Sequence, residues 1–496
     1  MIIPSRGRGL PAAIAAAAAI GGAIVALHYH RLGLTLSHYD ARGHLVVARR
    51  VIDSLTPGWQ QIGAVWLPLP HLLNLIPVQV DALYRSGASA VAMSVAAFAV
   101  ATAAIAWIVL MLTGSAAGAL VAAAVFAFNP NVLYLQATPM TEPLLIALIT
   151  VAVAMMIDCC RSADLKVRTT TTTIGVVFAL ACLTRYEAWP VTVCALAAAL
   201  WPHRRWRRVG LIAVFPAAAV FAFLVFSRIV VGHWFVSEGF FVPENKALGD
   251  PRLAAAEIWW GVHRLSGSLT IAVAAVGLVV LLAAAVARSR HASGLVALSL
   301  LATAALPWAA FVKGHPFRIR YMVPLLAIEA VGAGVAVGFV RRLGPALAVF
   351  VLAAAAYEQR PFDARQPIPM VVEALWEQPN VPVRQKITSY LRANYDGTTI
   401  MASMGSLGHY MQEASHDGFA IRDFLHEGNG DLWLAALDGP RPFVGWVLIE
   451  EKANGGDVLA KIARESPQFL DGFSRVGEGA GLALYRRQNL KPNVSR

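Results

Sequence analysis

The chain has 496 residues, 57% of them hydrophobic and only 14% charged, too apolar a balance to be hidden inside one globular core. The surplus must face lipid; it comes in stretches of about 15 to 25 residues, the length that carries a helix across a hydrocarbon core of ~30 Å, so helical spans are expected and a β-barrel is not. The net charge of +12 sits in short loops between apolar runs, with no basic stripe interleaved with aromatics, which reads as positive-inside charge and excludes a nucleic-acid surface.

In chain order, about eleven spans are predicted, at residues 10–29, 88–112, 116–130, 142–158, 171–184, 187–201, 209–231, 265–287, 293–312, 321–340 and 344–357. The first follows Arg6 and Arg8 and is too long for a cleaved signal peptide, so a retained span is expected. Arg161, Lys166 and Arg168, the run His203 to Arg208, Arg288 and Arg290, and Arg341 and Arg342 fall on the side of Arg6 and Arg8, which makes that side cytoplasmic. Cys159, Cys160, Cys182 and Cys194 provide neither a disulfide framework nor a zinc spacing. After residue 358 the composition turns Pro-rich and then mixed polar, and an odd number of spans puts this part outside. Its pattern predicts a helix at 383–395, a strand at 399–403, helix 407–414, strand 444–450, helix 457–465 and a closing hairpin at 473–487. The expected architecture is therefore a multi-span α-helical membrane protein, residues 1–358, with a long first outer loop at 30–87, followed by a soluble α/β domain at 359–496. The absence of an internal repeat weighs against an inverted-repeat transporter.

The outer segments hold the informative polar residues. The first loop carries Asp40, Arg42 and His44 at the head of an amphipathic stretch, then Trp66, Pro68, Pro70 and His71. A carboxylate there stands where head groups meet water, and an interfacial salt bridge from Asp40 to Arg42 or Arg49 is the plainer alternative. His38, Asp40 and His44 also offer nitrogen and oxygen donors to a divalent metal, at a spacing that is not diagnostic. Glu142 follows Thr141 and precedes Pro143, an arrangement that also serves simply to begin a helix. Arg185, Tyr186 and Glu187 lie between two spans with almost no loop, as a cavity-lining or a structural ion pair. Lys313, His315, Arg318 and Arg320, followed by Tyr321, gather positive charge at the outer boundary, suited to gripping a phosphate or to attracting anionic lipid head groups.

The order of these features resembles the glycosyltransferase C superfold: an acid after the first span, Thr-Glu-Pro before the fourth, Arg-Tyr-Glu between later spans, Arg-Tyr opening a late span, and a trailing soluble domain. Within it the chain is similar to bacterial members related to protein O-mannosyltransferases and to the lipid A aminoarabinose transferase. The first loop departs from the O-mannosyltransferases in having a single acid where they have an adjacent pair, which puts a protein acceptor in doubt. The resemblance implies a polyprenyl-phosphate sugar donor and inverting transfer to a hydroxyl of a lipid, glycan or protein acceptor on the periplasmic face of a bacterial inner membrane. Asp40 is then the expected base, since an attacking hydroxyl needs a carboxylate within reach, and Glu142 the second acid. Arg320 and His315, with Lys313 and Arg318, would receive the negative charge gained by the departing phosphate. Arg185, Tyr186, Glu187, Arg42, His44 and Tyr321 would support the cavity. No cofactor is required by this scheme. The alternatives are a transporter or flippase of a lipid-linked or anionic substrate, which would spread essential charges across both faces, and a scaffold, which would leave the clustered acids and arginines without a role.

Overall fold

The computed structural model describes residues 9–161, 168–200, 206–234, 245–287, 292–340, 343–360, 367–452 and 455–488. Arg6, Arg8, Lys166, Arg204, Arg205, Arg288, Arg290, Arg341 and Arg342, much of the charge that set the topology, lie outside the described residues.

The first span, α1 (Gly9–Arg31), leads into a long loop with helices α2 (Tyr39–Arg49), α3 (Leu69–Asn74) and α4 (Asp81–Ser86). Then come α5 (Ala88–Thr113), α6 (Ala116–Ala127), the short α7 (Pro130–Leu135), α8 (Glu142–Arg161), α9 (Arg168–Cys182), α10 (Ala188–Leu200) and α11 (Trp206–Val230). An amphipathic helix, α12 (Pro251–Ser266), precedes α13 (Ser268–Ala287), the broken span α14 (Ala292–Leu298) and α15 (Ala305–Val312), then α16 (Leu325–Phe339) and α17 (Gly344–Gln359). Seven helical stretches are long and apolar enough to cross a membrane, and four shorter apolar helices bring the described total to the eleven expected.

The bundle is organised around the stretch Ile319–Phe339, which is 94% buried, whereas α1 is 17% buried and belongs to the lipid-facing rim. Without a hydrophobic force between helices in lipid, close approach of backbones has to supply the packing. Gly277 of α13 meets Gly332 of α16 so tightly that a Cβ on Gly277 would stand 1.9 Å from the Gly332 carbonyl oxygen.

Beyond α17 the chain forms α18 (Pro369–Ala374), α19 (Val381–Asn394), β1 (Ile400–Ala402), α20 (Met404–Ala414), β2 (Phe424–Leu425), α21 (Asp431–Asp438), β3 (Trp446–Glu450), α22 (Val458–Glu465), β4 (Phe473–Gly479) and β5 (Leu482–Arg487). The sheet runs β2-β1-β3-β5-β4, with β2, β1 and β3 parallel and β5 and β4 antiparallel. Alternate strand residues serve two cores, as the pleat requires: Ile400, Ala402, Trp446 and Leu448 face one, Met401, Val447 and Ile449 the other.

The amphipathic stretch forms α2, which ends at Arg49 and is buried almost all round, with α20 packed against it. Leu45, Val46 and Ala48, with Val78 and Tyr84, share one core with Leu407, Tyr410 and Trp446. Asp53 accepts the Ile421 and Arg422 amides at 3.3 and 3.4 Å, and Gln61 donates to the Gly428 carbonyl at 2.8 Å. The first loop and the C-terminal domain are packed as one unit above the membrane helices.

Candidate active site

Helix α2 starts at Tyr39 because His38 caps it, its Nδ1 accepting the Asp40 amide at 3.1 Å. This places Asp40 in the first turn, where the helix dipole favours an anion. Asp40 Oδ2 is ion-paired with Nη1 of Arg320, and both side chains are buried. Arg320 comes from a 3-10 turn, Ile319–Met322, at the head of the most buried span, and its guanidinium lies 5.1 Å from the Tyr321 ring centre. Burial pushes the Asp40 carboxyl upward, but the Arg320 guanidinium outweighs it, with His38 and Arg318 adding, and holds Asp40 below its usual range.

The interfacial pair of Asp40 with Arg42 or Arg49 is not what forms. Residues two and nine positions along a helix are turned about 200° and 180° from the starting one. Arg42 therefore pairs with Glu413 of the C-terminal domain, and Arg49 with Asp53 at 2.9 Å and Asp81 at 2.7 Å. Arg42 supports the cover of the site and is not in its cavity.

His44, one turn on from Asp40, shares its face. Its Nδ1 is 3.1 Å from Nε2 of His71, and Trp66 lies 4.2 Å from it, ring centre to ring centre. Burial, His71, Arg185 and Arg320 hold His44 well below the ordinary imidazole value, and burial with Arg50 pushes His71 down to about 3, so both rings are neutral at physiological pH. His38, Asp40 and His44 thus turn to separate partners, and no group of three metal-ligating side chains is assembled among the described residues.

A second cluster stands beside the first. Arg185 lies 3.0 Å from Glu142 and 2.7 Å from Glu187 and donates to Thr141 Oγ1 at 3.0 Å. Neither Glu142 oxygen receives a well-directed hydrogen bond among the described residues, so Glu142 is held by charge alone, beside an enclosed space of about 10 Å3 that it shares with Gln136, room for roughly one water. Tyr186 donates to the Ala64 carbonyl at 3.2 Å, tying this turn to the first loop. Arg185 and Arg320 both act on His44, and Glu142 acts on Arg320, so the clusters form one electrostatic unit.

Of the remaining expected cations, Arg318 and His315 stand beside the pair. Arg318 stacks on Trp376 at 4.6 Å and reaches the Tyr39 ring at 5.9 Å. The His315 ring lies 5.5 Å from that of Tyr321, and burial keeps its imidazole below the ordinary value. Lys313 closes the end of α15, its amide bonded to the Ala309 and Ala310 carbonyls. Sequence reasoning missed Glu373. Its Oε1 is 3.7 Å from Arg320 Nε and 3.4 Å from His38 Nε2, and its Oε2 accepts the Ile319 amide at 2.7 Å. The signal was a short helix: Pro369 at its first position and apolar Met370, Val371 and Ala374.

Against solved structures, ArnT of Cupriavidus metallidurans, a lipid A aminoarabinose transferase, superposes with a TM-score of 0.60 over 94% of this chain and 97% of that one, at 13% identity, both bound to undecaprenyl phosphate and in the apo state. The chain has the glycosyltransferase C superfold. The same superfold is seen in the Archaeoglobus fulgidus oligosaccharyltransferase tethered to an acceptor peptide, with a TM-score of 0.53 and 11% identity over 96% of this chain and 74% of that one. No protein-family model matches the chain, and no curated protein does. In this chain the Asp40–Arg320 pair sits where the first loop meets the head of a central span, under the cover of the C-terminal domain.

Proposed function

We propose that the protein is a membrane glycosyltransferase that moves a sugar from a polyprenyl-phosphate donor to an acceptor hydroxyl on the periplasmic face, with inversion. The observation that carries this reading is the buried pairing of Asp40 with Arg320, a base and a phosphate-binding cation brought together from opposite ends of the membrane domain. The superfold it shares with an enzyme crystallised with undecaprenyl phosphate supports the lipid-linked donor.

In this mechanism the donor phosphate draws on Arg320, with Arg318, His315 and Lys313 in support. Asp40 takes the proton of the acceptor hydroxyl as its oxygen bonds to the anomeric carbon. The bond from that carbon to the phosphate oxygen breaks, and its electron pair leaves with polyprenyl phosphate, whose new negative charge is met by the guanidinium groups. In the proposed inverting displacement the acceptor oxygen attacks from the face opposite the departing phosphate. Glu142, held by Arg185 without a hydrogen bond of its own, orients the acceptor. The buried charges gather at the heads of the spans, which favours transfer over transport across the membrane.

The test is to incubate proteoliposomes with a polyprenyl-phosphate sugar and a membrane extract as acceptor source. Appearance of free polyprenyl phosphate together with a new glycoside supports the reading. Donor that crosses between leaflets unchanged makes the protein a flippase instead.

A further inference from the structure

Glu373 lies between the last span and the soluble sheet, where sequence reasoning saw only a Pro-rich connection. Its helix α18 is pinned to the membrane domain: the Met370 amide donates to Asn131 Oδ1 at 3.1 Å, and Asn131 in turn donates to the Leu265 carbonyl at 3.2 Å. Glu373 is thereby driven into the centre of the site, where Arg320 and His38 hold its carboxyl below the usual range against the upward push of burial.

His38 carries its proton in one place. Because Nδ1 accepts the Asp40 amide at 3.1 Å, the neutral ring keeps its hydrogen on Nε2, which faces Glu373 Oε1 at 3.4 Å. Four residues then close a ring: the Asp40 carboxylate meets Arg320, Arg320 faces Glu373, Glu373 faces His38, and His38 returns to the Asp40 backbone. The ring holds Asp40 from both its side chain and its amide. Both Glu373 oxygens already face protein donors, which suits a holder and not a base.

We propose that Glu373 is a positioning residue that acts through His38 and Arg320 on Asp40, so that the C-terminal segment is a working part of the active centre. This rests on the function proposed above. It gives the shared core of the first loop and the C-terminal domain a purpose, since a rigid cover keeps Glu373 at a fixed distance from α2. The charged and titratable groups that act on Asp40 are His38 and Tyr39 from its own segment and His315, Arg318, Arg320 and Tyr321 from the head of the late span; Glu373 of α18 reaches it through Arg320 and His38.

Three variants test the relay in reconstituted protein: Glu373→Gln, His38→Asn and the double variant. Glu373→Gln is expected to lower kcat on the order of 10- to 100-fold with donor KM little changed. It should also move the acid limb of the pH profile to lower pH, because Arg320, no longer shared with Glu373, acts on Asp40 alone. His38→Asn keeps an oxygen to cap α2 but cannot reach Glu373 and takes away a group that lowers Asp40, so kcat falls and the limb moves to higher pH. If the residues act as one relay, the double variant is no slower than the worse single one. Losses that multiply in the double variant, or Glu373→Gln with wild-type kcat and an unmoved limb, overturn the proposal; should Glu373→Gln fail to fold, wild-type kcat in His38→Asn overturns it as well. Wild-type protein that transfers no sugar defeats the proposed function, and the relay is then read from the infrared carboxyl band of Asp40, assigned by its loss in Asp40→Asn. A lower midpoint for that band in Glu373→Gln supports the relay, and an equal midpoint overturns it.

Discussion

Replacing Arg320 by Met removes the cation paired with Asp40 and leaves two buried carboxylates, Asp40 and Glu373, without the guanidinium they share. Breaking a buried pair by deleting one partner costs about 3–5 kcal/mol if the orphaned charge stays ionised, so the site relieves itself by taking up a proton. An opposite charge at this range lowers a carboxyl by about 1–3 units, at 1.36 kcal/mol per unit. In Arg320→Met that effect is lost, and the burial that opposed it is countered only by His38 and Arg318. The Asp40 midpoint should therefore rise by about 1–3 units. The assay is the residual transfer rate against pH, followed in parallel with the infrared carboxyl band of Asp40. The acid limb should move up and protonated carboxyl should accumulate at a pH where wild type shows none. An acid limb in the same place in Arg320→Met and wild type would refute the reasoning, whatever the absolute rate.

Other consequences concern stability. Asp40 and Glu373 are held below their ordinary range, so their contribution is fully present above about pH 4 and is lost as pH falls through their folded values. Thermal scans of wild type in detergent should show a loss of midpoint on acidification below that pH which Asp40→Asn blunts. Asp457 behaves oppositely, since burial pushes it up to about 6. Its contribution is present below about pH 4 and lost as pH rises through 6, so amides around α22 should exchange faster at pH 7.5 than at pH 5, and Asp457→Asn should flatten that difference. Arg185→Met strands Glu142 and Glu187 and should cost about 3–5 kcal/mol, seen as poor yield and a lower melting midpoint; Arg185→Met with Glu142→Gln and Glu187→Gln together should recover most of it. Gly277→Ala should separate α13 from α16, since the new Cβ meets the Gly332 carbonyl. The cost of such overpacking is about 1–3 kcal/mol, measurable as a lower midpoint with the donor affinity of the folded fraction unchanged.

The eleven apolar helices were legible because twenty apolar residues in a row are a local signal, whereas the order of packing was not. Nothing in the pattern marks Ile319–Phe339 as the buried centre except its small residues, Gly332, Gly334 and Gly338. In the C-terminal domain the strands and longer helices fell within a few residues of their expected places. The two-residue β2, the six-residue α18 and the eight-residue α21 were missed because they are too short to show a clear period. The same limit hid Glu373. At the site, Asp40, Glu142, Arg185 and Arg320 stood out as charges at a membrane boundary, but their partners did not. Local spacing suggested Arg42 and Arg49 for Asp40, and helical phase turns both away. The true partner lies at the far end of the membrane domain, and only the fold joins them.

The central claim is that Asp40 removes the acceptor proton while its partner Arg320 and the neighbouring cations hold the lipid phosphate. It is tested most directly by single-turnover transfer in liposomes at saturating polyprenyl-phosphate sugar, comparing wild type with Asp40→Asn. Loss of base catalysis should slow the transfer step by about 10²–10⁴-fold, with donor binding retained in the variant. A variant rate within a few-fold of wild type would contradict the account.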